Sequence, residues 1–179
     1  MSEKEQQNEP AWKEVLSWIL TFAIAIVAAL LIKNYVIINA SVPTGSMENT
    51  IMTGDRLIGN RLAYLKSDPQ RGDIIIFKYP DNEDEIYVKR VIGLPGDVID
   101  IVDDVVYLNG EEFDEPYLAE EMNQGETYHF EVPEDHYFMM GDNRNYSLDA
   151  RYWHNPYISE DKMIAKVLFE YFPTPKLIK

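Results

Sequence analysis

Residues 85–97, with the sequence EIYVKRVIGLPGD, hold the pattern that decides the fold class of this chain. Successive side chains of a β-strand point to opposite faces, so an extended segment here places Lys89 on one face with Tyr87 and Val91. The GLPGD run that follows is rich in glycine and proline and is typical of a tight connection. The segment therefore predicts a strand that ends in a turn.

The same rhythm continues along the chain, where short runs rich in Val, Ile, Tyr and Phe alternate with turns rich in Gly, Pro, Asp and Asn. The Asn109 and Gly110 pair is of the kind that closes a β-hairpin. On this basis we predict strands over Asp73–Tyr79, Glu85–Ile92, Val98–Val102, Val105–Leu108, Tyr128–Val132, Tyr137–Met140 and Met163–Phe172. The expected fold is all-β, with an antiparallel, coiled and barrel-like sheet.

The last predicted strand has a one-sided pattern. Lys166 and Glu170 fall on one face, and the opposite face carries Met163, Ala165, Val167, Phe169 and Tyr171. A strand of this kind buries its apolar face and exposes its charged face.

A run of eighteen residues without a charge, Val15–Ile32, precedes the β-rich part of the chain. As a helix it would rise ~27 Å, close to the hydrocarbon thickness of a bilayer. A buried core helix would normally show a polar stripe, and a cleaved signal peptide would need a small-x-small site, which Ile38-Asn39-Ala40 fits poorly. We therefore predict one retained transmembrane anchor over residues 15–33, after a polar tail over residues 1–14. Lys4 and Lys13 on one side and Lys33 on the other leave its orientation undecided.

Composition excludes several classes of function. The formal net charge is −15 and no basic run relieves it, which argues against a nucleic-acid partner. The chain has no cysteine, which excludes a disulfide scaffold and a thiol nucleophile. Its three histidines, His129, His136 and His154, show no spacing typical of a metal site.

The first candidate for chemistry is residues 42–47, VPTGSM. Proline and glycine beside a hydroxyl residue give a sharp backbone turn that can expose the Oγ of Ser46 and direct an N–H at a substrate carbonyl. The alternative is an ordinary turn in which Ser46 caps the next segment. The pattern alone leaves both open.

The second candidate is Lys89, which lies between apolar neighbours in its predicted strand. Burial would disfavour the ammonium form, and lowering its pKa from ~10.4 to ~8 requires ~3 kcal/mol. A neutral amine could then take the proton from Ser46. The alternative is a surface lysine that extends its charge into water.

The third candidate is residues 140–151, MGDNRNYSLDAR, a polar segment directly after an apolar strand. By itself it could be a surface loop with Asp–Arg pairs of little energetic weight. Penicillin-binding enzymes carry a lysine three residues after the serine, but Asn49 occupies that position here. A Ser-His-Asp triad is formally possible, although no histidine lies in a motif-like context.

Taken together and in this order after an N-terminal span, the three segments resemble type I signal peptidases, in the short form of Gram-positive bacteria. The resemblance covers the chain from Val15 on and also includes the RGD of residues 71–73. It implies Ser46 as nucleophile and Lys89 as general base, with the Thr44 hydroxyl and the Ser46 N–H binding the oxyanion. Ala150 departs from the family, which often has serine there.

The resemblance also implies supporting and substrate-binding residues. Ser147 would orient the lysine amine, Asp149 and Arg151 would buttress the site, and Arg90 would pair with Asp142. The pockets for the substrate would be lined by Ala40, Val42, Met47, Ile51 and Val88.

The substrates implied are exported preproteins with small residues at −1 and −3, bound as extended strands, with no metal or cofactor. The tail would be cytoplasmic and residues 34–179 would form the extracytoplasmic peptidase domain on the membrane lipid. The family's inserted domain would be reduced to a small extension over residues 103–131. A membrane-anchored domain that binds peptides without cutting them is the alternative from another class.

Overall fold

The computed structural model describes residues 11–118 and 120–178, which form two compact units, the helical part up to Val36 and a β domain from Ile37. Helix α1 spans Ala11–Leu31 and continues as a π-helical turn, Ile32–Val36. The stretch Trp12–Val36 is long and apolar enough to cross a membrane, and none of its most apolar window is buried in protein. The helix is therefore not a core helix and is consistent with a single-pass anchor. Of the predicted tail, residues 1–10 lie outside the described residues.

The β domain consists of two antiparallel sheets. The strands are β1 Ile37–Ser41, β2 Arg56–Asn60, β3 Ile74–Tyr79, β4 Asn82–Gly93, β5 Val98–Val102, β6 Val105–Leu108, β7 Glu111–Glu112, β8 Tyr128–Glu131, β9 His136–Met140, β10 Tyr157–Ser159, β11 Met163–Phe172 and β12 Lys176–Leu177. The first sheet has the order β1-β2-β11-β3-β4-β9-β10, with β12 paired to β11, and the second has the order β7-β6-β5-β8. All seven predicted strands are present, whereas β1, β2, β7, β10 and β12 were not predicted.

The first sheet is strongly coiled. Strands β1 and β4 are separated by three strands in the sheet order, which in a flat sheet would put them ~19 Å apart. Both nevertheless line one cleft, together with the turn that follows β1. The coiling therefore creates the concave surface on which the candidate residues meet.

Strand β11 departs from the predicted alternation at Glu170. Ala165 and Val167 are buried as predicted, but Glu170 was placed on the exposed face and is only 2 % exposed. Register shifts interrupt the pairing with β2 after Val167 and again after Glu170, and such bulges turn the following side chains to the other face. The buried carboxylate of Glu170 is paired with the Lys176 amine at 3.0 Å.

The two sheets share the larger of two apolar cores. Phe77 and Phe138 of the first sheet pack with Ile99 and Val106 of the second. Gly93, at the end of β4, allows this close approach, because a Cβ there would lie 2.6 Å from Ile99 Cδ1 and 2.9 Å from Phe138 Cβ. The smaller core lies beneath the turn after β1 and consists of Val42, Met47, Ile51, Leu57, Ile74, Ile76, Ala165 and Val167.

We predict that Ile99→Ala lowers the free energy of unfolding by about 2–5 kcal/mol, because it opens a cavity where the sheets meet. Val102→Ala on the same strand is the matched control, since Val102 is 41 % exposed, and its effect should stay within about 0.5 kcal/mol. Urea unfolding of the detergent-solubilised chain, followed by near-UV circular dichroism, measures both. Equal effects of the two substitutions would contradict the packing described here.

Candidate active site

Ser46 lies in a tight turn that the smaller core holds in place. The turn is closed by backbone hydrogen bonds from Glu48 N to Gly45 O (3.1 Å) and from Ile51 N to Met47 O (2.8 Å). Met47 and Ile51 are fully buried beneath it. Ser46 is 9 % exposed, and its Oγ lies 2.5 Å from the Lys89 amine.

Lys89 reaches Ser46 from the middle of β4 and is 3 % exposed. Burial lowers the pKa of Lys89 from its ordinary value of 10.5 to about 8. The negative charges of Asp149 and Asp142 oppose this shift, while the positive charge of Arg151 adds to it. The amine is therefore substantially neutral in mildly alkaline solution, which the sequence analysis required of a base.

The segment after β9 closes the site from the other side. Gly141 has no side chain to separate it from the serine turn, since a Cβ there would lie 2.3 Å from Ser46 O and 2.2 Å from Ser147 Oγ. Its N–H donates to Asp149 Oδ2 at 3.0 Å. The Ser46 carbonyl accepts a hydrogen bond from Asn143 N at 3.1 Å. A larger residue at position 141 would push the serine turn away.

Two buried ion pairs flank the lysine. Arg90 donates from Nε to Asp142 Oδ1 at 2.8 Å and from its NH2 nitrogen to Asp142 Oδ2 at 2.6 Å. Arg151 donates from Nε to Asp149 Oδ1 at 2.8 Å and from its NH2 nitrogen to Asp149 Oδ2 at 3.0 Å. Bidentate Arg–carboxylate pairs fix orientation as well as charge. The structure thus contains the Arg90–Asp142 pair and the contact between Asp149 and Arg151.

Ser147 lies close to Ser46 and Gly141 on the far side of the serine turn. Its Oγ is buried and has no hydrogen-bond partner among the described residues. It packs against Gly141, and the polar contact of the Lys89 amine is with Ser46. A role for Ser147 in orienting the lysine therefore stays a prediction.

An apolar cleft of about 670 Å³ opens beside Ser46 and Lys89. Thr44 is exposed and lines this cleft. The cleft is also lined by the five residues expected to form substrate pockets, Ala40, Val42, Met47, Ile51 and Val88. Further apolar residues that line the cleft were not predicted from the sequence, namely Ile38, Ile76, Ile86, Tyr87, Tyr146 and Leu148. The alternation of Ile38 and Ala40 along β1, continued by Val42 just after it, was a signal that could have identified the first of them.

The histidines lie elsewhere. His129 contacts Asp100 and Glu131 in the second sheet, and none of the three histidines lines the cleft. Across residues 11–118 and 120–178, no group of three or more acidic or histidine side chains is arranged to hold a metal ion. The chemistry that this arrangement supports is a hydroxyl activated by a buried amine beside an extended apolar cleft.

Known proteins resemble this chain along most of its length. The family model described as signal peptidase, peptidase S26, matches residues 15–172. A probable signal peptidase I-2 from Synechocystis sp. is 34 % identical over 182 residues, covering 97 % of this chain and 79 % of that protein. Signal peptidase IB from Staphylococcus aureus is 33 % identical over 178 residues, covering 90 % of this chain and 91 % of that protein. A crystal structure of a signal peptidase I from Enterococcus faecalis has 34 % identity and a TM-score of 0.49, covering 56 % of this chain and 97 % of that one.

The family match spans both the apolar helix and all the segments that meet around the cleft. This protein therefore belongs to the signal peptidase family, peptidase S26.

Proposed function

We propose that this signal peptidase works with a serine–lysine dyad in which Ser46 is the nucleophile and Lys89 the general base. The observation that carries the proposal is the 2.5 Å contact between Ser46 Oγ and the buried Lys89 amine. A base must lie within hydrogen-bond reach of the proton it takes and have a pKa near the working pH. Lys89 meets both conditions, since burial lowers its pKa to about 8.

The proposed reaction is acyl transfer. Neutral Lys89 takes the proton from Ser46 as the Oγ attacks the scissile carbonyl carbon, and the resulting ammonium then protonates the leaving amine. The Ser46 N–H and the Thr44 hydroxyl stabilise the oxyanion of the tetrahedral intermediate. Water, activated by the same lysine, hydrolyses the acyl-enzyme. Exposure of Thr44 at the cleft supports its part in this scheme.

The substrate is proposed to bind as an added strand. Strand β1 ends the first sheet, and β4 pairs with β9 only from Arg90 on, so the part of β4 from Asn82 to Lys89 has one unpaired edge. Both edges border the cleft, where main-chain hydrogen bonds could hold an extended peptide. Apolar side chains such as Ala40 and Val88 support shallow pockets for small residues at −1 and −3. Exported preproteins are the substrates with this chemistry.

The proposed location is the cell membrane, with one span over residues 15–33. The tail would lie in the cytoplasm and residues 34–179 outside it, on the side where exported preproteins emerge. The family resemblance supports this topology, because the distribution of Lys4, Lys13 and Lys33 favours neither orientation. A domain that only binds peptides is the alternative, and the buried Ser46–Lys89 contact favours the enzyme over it.

We predict that a peptide with Ala-x-Ala before the scissile bond is cleaved and that Ser46→Ala reduces cleavage to background. The triple variant His129→Gln, His136→Gln and His154→Gln is the control and should retain most of the activity, because none of these side chains lines the cleft. Cleavage is measured by mass spectrometry of the products. A hundred-fold loss in the folded triple variant would restore the Ser-His-Asp alternative.

We predict that kcat/KM rises with pH through about 8 and then levels off, because only the neutral Lys89 amine can accept a proton and burial places its pKa there. Lys89→Arg keeps the positive charge but cannot deprotonate, so activity should fall by roughly 10²–10⁴-fold. The pH profile and the variant are assayed on the same peptide in detergent. An active arginine variant would show that another group is the base.

We predict that Thr44→Val lowers kcat roughly 10²–10³-fold and leaves KM nearly unchanged, because an oxyanion donor acts mainly in the transition state. Thr44→Ser keeps the hydroxyl and should remain active. The thermal midpoint of each variant is measured alongside kcat. A normal kcat in a destabilised Thr44→Val protein would make Thr44 a turn residue only.

A further inference from the structure

One part of the small extension returns to the back of the active site. The arm, defined here as residues 113–118 and 120–122, follows β7 and contacts all three segments that build the site. These segments are the serine turn, β4 with its lysine, and residues 141–151. The contacts are made by Glu115, Tyr117 and Met122.

The first contact is a buried ion pair with residues 141–151. Arg144 donates to both carboxylate oxygens of Glu115, with one N–O distance of 2.6 Å and the other shorter. The two side chains are 0 % and 6 % exposed. The same guanidinium donates from Nε to Gly141 O at 3.1 Å. Glu115 therefore fixes the Arg144 guanidinium. That guanidinium in turn binds Gly141, which packs against Ser46.

The second contact joins the arm to β4 and to the serine turn. The Tyr117 ring lies under the Arg90 guanidinium, 4.0 Å from ring centroid to Cζ. The Tyr117 carbonyl accepts a hydrogen bond from Asn49 Nδ2 at 2.8 Å, three residues after Ser46. The Tyr117 hydroxyl donates to Glu115 Oε1 at 2.6 Å. Tyr117 thus contacts both Arg90, which is next to Lys89 in β4, and the turn that carries Ser46.

The third contact reaches the ion pair of Asp149. The NH1 nitrogen of Arg151 lies 3.4 Å from Met122 Sδ, and its NH2 nitrogen donates to the Arg144 carbonyl at 2.7 Å. The arm therefore contacts both arginines that neutralise the carboxylates beside Lys89. None of these arm residues lines the substrate cleft.

We propose that Glu115 and Tyr117 are positioning residues of the peptidase, and that the arm sets the distance between Ser46 and Lys89 by holding their three segments together. The inference rests on the proposed dyad. A buried ion pair is a poor source of net stability, because two well-packed apolar residues often do as well. What the bidentate Glu115–Arg144 pair supplies is a fixed orientation of the segments it joins. A misplacement of ~1 Å at a reacting atom can cost ~10²-fold in rate.

The test compares Glu115→Gln and Tyr117→Leu with two controls in the full-length protein in detergent. Asp114→Asn removes an exposed charge next to Glu115, and Tyr117→Phe keeps the ring under Arg90. For Glu115→Gln and Tyr117→Leu we expect kcat to fall ~10²-fold with KM within about twofold, because the cleft is intact. Asp114→Asn should behave as the unsubstituted protein, and Tyr117→Phe should lose much less than Tyr117→Leu.

A thermal midpoint for every variant separates positioning from stability. If Glu115→Gln and Tyr117→Leu only lower the midpoint and keep a normal kcat well below it, the proposal is wrong. If Glu115→Gln does not fold, the double variant Glu115→Leu with Arg144→Met removes both buried charges, and a stable protein with low kcat supports positioning. A stable double variant with normal kcat overturns it. Failure of the dyad itself would show separately, as activity remaining in Ser46→Ala.

Discussion

The proposed mechanism depends on keeping the amine of Lys89 buried and uncharged beside Ser46 Oγ. Burial lowers the pKa of Lys89, but Asp142 and Asp149 lie close enough to raise it again. Each of these carboxylates is held by an arginine, Arg90 or Arg151. The charge of Arg151 opposes that of the carboxylates, and burial remains the largest effect on the pKa of Lys89.

Strand β4 supplies two adjacent residues to the site, one from each of its faces. Lys89 and Arg90 are both 3 % exposed, and because neighbours on a strand point to opposite faces, one reaches Ser46 and the other reaches Asp142. The turn that carries Ser46 is fixed separately, by the burial of Met47 and Ile51. The Ser46–Lys89 contact therefore forms where a paired strand meets a turn that is fixed by a core of its own.

Local pattern predicted much of this architecture, and its failures have physical causes. Alternation identified β4, and the motifs around Ser46 and Lys89 identified the pair that the structure brings together. Strands β1 and β2 were missed because Asn39 and Gly59 interrupt their apolar runs. Glu170 was placed on the wrong face because bulges depend on pairing with another strand. The arm was missed for a similar reason, since Glu115 meets Arg144 across 29 residues and only the folded chain brings them together.

The chain between the apolar helix and Ser46 is short. From Val36, the last helical residue, to Ser46 there are ten residues, which span at most ~35 Å even when fully extended. Most of these residues belong to strand β1 and the turn after it, so little chain is left over as a flexible linker. A short connection of this kind gives any peptide carried on the same membrane as the apolar helix a higher effective concentration at the cleft than a long flexible linker would.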